Sequence, residues 1–276
     1  MLLVLASPMV EGASLFHPTD GVRATLAVAA DDDSGLDAYF EAYAKFEQMV
    51  AEATSATPPD MPRITEPAAA EVIAILSDSK RFLTQSNFRL EHLDKVSNMC
   101  GTANKISMTY VMFDLKNHVD VGADPAAVTV QVMNVMGRNS YTFQGELKLL
   151  GPFLYRCLAR QIPVMTEFIS KLKPEELTDV RLAGLQRVRK GILQTIAGTI
   201  LFAVDESSEE SYRAAILQAL AENASQYISL LSIPERQQIL TLIASAQPNA
   251  PSFARKHLAT ISAAMSDTSC TGLCAY

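Results

Sequence analysis

The sequence predicts an all-α fold, an irregular multi-helix bundle of about 8–10 helices with no significant β-sheet. Three observations predict it. Apolar residues recur at three- and four-residue steps through most of the chain, the period of a helix with one buried face. Cap-and-proline signals such as Asp124-Pro125 and Ser232-Ile-Pro234-Glu235 separate these stretches. No segment shows the sustained alternation of a half-buried strand, and 12 glycines with 13 prolines are too few for a long array of β-hairpins. Helix–turn–helix units of roughly 25–40 residues recur loosely after Pro125, which keeps a helical-hairpin array in view, but three matching units cannot be aligned. The irregular bundle is favoured.

Residues 1–30 are apolar and rich in small side chains, and end in Ala27-Val28-Ala29-Ala30 before Asp31-Asp32-Asp33. An A-x-A site followed by acid resembles the end of a secretory leader. Against that, Met1 to Leu5 carry no lysine or arginine, and Glu11, Pro18 and Asp20 interrupt the apolar run. An unstructured N-terminal arm or a misassigned start codon is the competing explanation. Residues 31–67 read as an acidic helix and a proline-rich linker. Ser34-x-x-Asp37 is a capping-box-like opening. Leu36, Tyr39, Phe40, Tyr43, Phe46 and Val50 form one face of a helix reaching about Ala53, and Pro58, Pro59, Pro62 and Pro67 then forbid helix.

Residues 68–266 form the expected bundle core. A helix restarts near Pro67 and turns Val72, Ile73 and Leu76 inward. Residues 79–118 are helical with a break near Gly101, with Leu90, Leu93 and Val96 on one face and Ile106, Tyr110 and Phe113 on the next. Asp124 caps a helix that begins at Pro125, carries Val128, Val132, Val135 and Met136, and ends at Gly137. Asn139 or Ser140 opens another, Gly151-Pro152 punctuates again, and Pro163 kinks the helix that runs to Leu172. A long helix spans about 174–204, and Ser207-x-x-Glu210 starts one with the stripe Tyr212, Ile216, Leu220, Tyr227 and Leu231. Ser232-Ile-Pro234-Glu235 starts the next, and Ser252 opens a last helix bearing Leu258, Ile261 and Met265. Residues 267–276 are a cysteine-containing tail.

Inside the helix at 174–204, Gly184, Gly191 and Gly198 recur one heptad apart. Each glycine costs about 1 kcal/mol relative to alanine in a helix interior. A neighbouring helix packed on a side-chain-free seam compensates for that cost, within one chain or between two copies of a homo-oligomer.

Half the residues are hydrophobic (49%) and 19% are charged, which excludes a disordered chain. The net charge of -7 argues against a nucleic-acid binder. The longest uncharged apolar stretch, 191–204, is shorter than the ~20 residues of a membrane span, so no transmembrane segment is expected. Charge is uneven: acids dominate between Asp31 and Ser79, whereas Arg156, Arg160, Lys171, Lys173, Arg181, Arg187, Arg189 and Lys190 make 156–190 basic. Solvated helix faces account for this, with steering of an acidic partner, docking of the N-terminal arm and contact with anionic lipid as the functional alternatives. Four cysteines fit two disulfides in an oxidising compartment, and of three pairings Cys100–Cys157 with Cys270–Cys274 is preferred, because the late pair then staples the tail. A secreted or periplasmic location follows; without it the chain is cytoplasmic with four reduced thiols.

No H-E-x-x-H, G-x-S-x-G, P-loop or G-x-G-x-x-G motif occurs, and no cofactor is expected. The nearest metal-like grouping, His118, Asp120 and Asp124 beside Asp114, reads as a solvated loop and helix ends, so no metal is assigned. Glu91, His92 and Asp94 share one turn and could form an acid–base centre of hydrolase type; Cys100 could be a nucleophile if a helix N-terminus lowered its pKa. Met99, Met108, Met112, Met133, Met136 and Met165 are adaptable side chains, and Met108, Met112, Met133 and Met136 in particular could line an apolar groove. The first functional expectation is an exported, non-enzymatic helical protein that binds a partner protein or an apolar small molecule. The alternative is an enzyme with a dispersed site at Glu91/His92/Asp94 or Cys100.

Overall fold

A computed structural model describes residues 35–120 and 122–276, which form helices and turns with no strand among them. The leader-like segment, Asp31-Asp32-Asp33 and the Ser34 cap lie outside the described residues. Helix α1, Asp37–Ser55, buries Tyr39, Ala42 and Phe46, one side of its periodic stripe. The proline-rich segment then crosses to α2, Pro67–Leu76, whose first residue is the proline, where a missing N–H costs nothing. A single turn, α3 (Ser79–Phe82), is capped by Asp78, whose carboxylate accepts from the Lys80 and Arg81 amides. Helix α4, Leu93–Val111, follows, and Asp124 caps α5, Pro125–Thr142, as the spacing predicts.

The longest helix is α6, Gln144–Lys171, followed by α7, Asp179–Ala203. Helix α8, Glu210–Glu222, starts with Glu209 as its N-cap, later than the Ser207 opening expected. Its expected continuation to Leu231 is broken at Asn223, where α9, Ala224–Ile228, begins. Ser232 and Glu235 close the capping box that starts α10, Ile233–Ala246, and α11 is Ser252–Met265.

Three expected breaks are absent, for one reason. Gly101 lies within α4, Gly137 within α5 and Gly151-Pro152 within α6, which runs on through Pro163 as expected. A glycine penalty of about 1 kcal/mol is smaller than what burial of a helix face returns, so packing decides helix length. Asn139 and Ser140 are buried core positions on α5 rather than caps. The Asn139 amide donates to the carbonyls of Val111 (3.1 Å) and Phe113 (2.7 Å) at the end of α4. At Gly151 a Cβ would fall well inside contact distance of Ile216 Cδ1, so this glycine marks the close approach of α8 to α6.

One hydrophobic core runs from Leu36 to Leu273. Within it α6 carries α4 on one face and α8 on another, with α2, α5 and α9 also against it. Helix α7 takes its packing from α8 and α10, and α11 closes over α8, α9 and α10. The first helix and the proline-rich segment share this core. Met61 is buried, Tyr39 stacks on Phe153 with centroids 5.5 Å apart, and Tyr110 Oη donates to Pro62 O at 2.8 Å. Buried Glu146 holds the segment down, accepting from Arg63 Nε (3.2 Å) and from the Ile64 amide (2.9 Å).

The cysteines form two pairs at disulfide distance, in the preferred pairing. Cys100 on α4 and Cys157 on α6 have sulfurs 2.01 Å apart, and Cys270 and Cys274 2.07 Å. The tail is held by buried Arg236, which donates to the carbonyls of Ile228, Leu231, Asp267 and Ser269. No helix among the described residues is long and apolar enough to cross a membrane.

Two predictions follow from this packing. Gly151→Ala sets a methyl against the end of the Ile216 side chain, and the overpacking loss, at most about 1–3 kcal/mol, is set against the ~1 kcal/mol that alanine gains over glycine in a helix. In a denaturant titration Ile216→Val should recover part of that loss in the double variant, although alone it is destabilising. Replacing Cys100 and Cys157 by serine should lower stability by roughly 4 kcal/mol, the loop-closure figure for a crosslink spanning 57 residues, measured by the same titration under non-reducing conditions.

Candidate functional site

A small apolar cavity, partly open, lies where four helices of the described residues meet. Helix α6 supplies Leu147, Gly151, Leu154 and Tyr155 to its wall, and α8 supplies Tyr212 and Ile216. Opposite them stand Thr195, Gly198, Thr199 and Phe202 of α7, with Ser107 of α4 at one edge. The volume is about 30 Å³, room for about one water molecule. Helix α7 takes its main packing from α8 and α10, and Gly198 contributes no side chain to the gap beside α6.

Hydroxyl groups provide the only side-chain polarity in the wall, and no lining residue is charged. Tyr155 Oη and Thr199 Oγ1 are hydrogen-bonded, joining α6 to α7 across the space. Tyr227 Oη donates to Tyr155 O at 2.7 Å, tying α9 beneath the same turn. Burial pushes the Tyr155 hydroxyl up to about 12. Burial also raises Tyr212 and Tyr227, and the nearby Tyr155 adds to both shifts. These phenols therefore stay protonated at any physiological pH.

The sequence-derived candidates are placed elsewhere, Gly198 excepted. Met108 and Met112 lie on α4, and Met133 and Met136 on α5. Met136 is buried and the others are half-buried, and none borders the cavity. Gly184, Gly191 and Gly198 are all buried on α7, and Gly198 faces the cavity wall. Cys100 is joined to Cys157, so it offers no thiolate. The Glu91 carboxylate lies 3.7 Å from Arg89, and His92 Nδ1 is 3.3 Å from Asn87 O. Asp124 caps α5, Asp120 accepts from the Gly122 amide, and His118 Nε2 is 3.2 Å from Asp114. No group of three or more metal-ligating side chains occurs among the described residues.

Sequence reasoning reached Tyr212 and Ile216 as ordinary core positions and missed Tyr155 and Thr199. A periodic stripe says that a side chain faces inward, not that its neighbours leave space. Comparison with family models, curated proteins and solved structures finds no match for this chain.

The raised phenols make an alkaline-stability prediction. A folded pKa above the unfolded value of about 10 gives stability that is complete below that value and lost as pH rises beyond it. In a titration followed by tyrosinate absorbance, Tyr39, Tyr110, Tyr155, Tyr212 and Tyr227 should ionise only together with loss of helical signal.

Proposed function

We propose that this protein is an exported, non-enzymatic binding protein for a small apolar molecule, received between α6 and α7. The observation that carries the reading is the cavity at the junction of α4, α6, α7 and α8. Protein interiors are close-packed, and a gap bordered by Leu147, Leu154, Phe202 and Ile216 suits an apolar occupant. An engineered apolar cavity of about 150 Å³ stays dry and takes up benzene. The about 30 Å³ seen in this structure is the closed form, and a ligand enters as α7 moves outward from α6. Export is supported by the two cysteine pairs and by the A-x-A site before Asp31.

Of the two occupant classes expected from the sequence, the cavity favours the small molecule over a partner protein. An enzyme centred on Cys100 loses its nucleophile to Cys157, and Glu91, directed at Arg89, offers little support to one centred on His92. The glycine seam as a contact between copies loses ground too, since all three glycines are buried within the single chain.

The test is methyl NMR of the wild-type chain titrated with cyclohexane. The expected result is saturable shifts concentrated on Leu147, Leu154 and Ile216, and lost in Gly198→Leu, whose new side chain occupies the space. Shifts confined to exposed methyls such as those of Val130 and Val180, or none at saturation, would overturn the reading.

A further inference from the structure

We infer that the cavity selects a neutral ligand carrying one hydrogen-bond acceptor, such as a ketone, aldehyde, ester or ether oxygen, and that Tyr212 Oη donates to it. This inference rests on the cavity reading above and names the chemistry of its occupant. It comes from counting hydroxyl protons around the wall. Ser107 Oγ donates to Ala103 O at 3.1 Å. Thr195 Oγ1 donates to Gly191 O, and Thr199 Oγ1 to Thr195 O, both at 2.9 Å. With the Thr199 proton committed, Tyr155 is the donor in the bond between them. Each of these four hydroxyls has spent its single proton inside the protein.

Tyr212 is the exception. It borders the cavity and is 3% exposed, and its hydroxyl has no hydrogen-bond partner among the described residues. Its ring is fixed against Phe202, with centroids 4.9 Å apart. Tyr39 Oη, by contrast, is sealed in the core without a partner; Tyr212 Oη is not sealed in this way, and in the open space beside it an acceptor can receive its proton. No charged side chain borders the space, so a carboxylate or ammonium ligand would be desolvated without compensation and is selected against. Leu147, Leu154 and Ile216 leave the remainder of the ligand apolar.

A near-isosteric pair of probes, cyclohexanone and methylenecyclohexane, tests this on wild type and Tyr212→Phe, with dissociation constants from the Leu154 and Ile216 methyl shifts. The expected result is that cyclohexanone binds wild type roughly tenfold more tightly than the variant, a single hydrogen bond's worth. Methylenecyclohexane should bind the variant at least as well as wild type. Equal ketone affinity in both proteins would overturn the acceptor inference and leave the cavity reading intact. Failure of both probes to move either methyl would overturn both. In wild type alone, Tyr212 ring resonances should respond to the ketone and not to the alkene. The same response to both would defeat the inference even if the variant did not fold.

Discussion

The structure is organised by the burial of α6 on several faces at once. An amphipathic helix normally keeps one side for solvent. Helix α6 instead meets α4 through Cys157, α1 through Phe153, α8 through Gly151 and α9 through the backbone of Tyr155. That environment holds a 28-residue helix together across Pro152 and Pro163, residues that would break it in isolation. It also accounts for the segment 36–67: α1 and the proline-rich stretch become part of the core because α6 and Glu146 offer them an apolar wall and a buried acceptor.

The cavity is a consequence of the same arrangement. Gly151 lets α8 come close to α6, and α7 then follows α8 and α10 rather than α6. A gap opens where α7 passes α6, bridged by the Tyr155–Thr199 hydrogen bond. Filling it would take side chains at Gly151 and Gly198, yet a methyl at Gly151 collides with Ile216. Close packing on one face of α6 and free space on the neighbouring face are thus linked, and the link places the cavity at the helix junction rather than on a loop.

Much of the helical framework is legible in the residues. Asp124-Pro125 and the Ser232–Glu235 box mark helix starts correctly because capping is a local event, decided within one turn. Gly101, Gly137 and Gly151-Pro152 mislead because the energy that overrides them comes from partners far away in sequence. The cysteine pairing was accessible by preference among three possibilities. The cavity was not: Tyr155, Thr199 and Tyr212 have the spacing of ordinary core residues, and only the packing of α7 on α8 and α10 distinguishes a void from a filled interior. The methionines drew attention to α4 and α5 through composition, which carries no information about where helices separate.

Amide hydrogen exchange compares α6 and α7 directly, since each backbone amide reports the free energy of the opening that exposes it. The account predicts that amides of α6 between Leu147 and Val164 exchange only through global unfolding. Those of α7 between Thr195 and Phe202 should exchange faster, through a local opening that uncovers the space beneath them. Equal protection of the two helices, or an α6 that opens before α7, would contradict it.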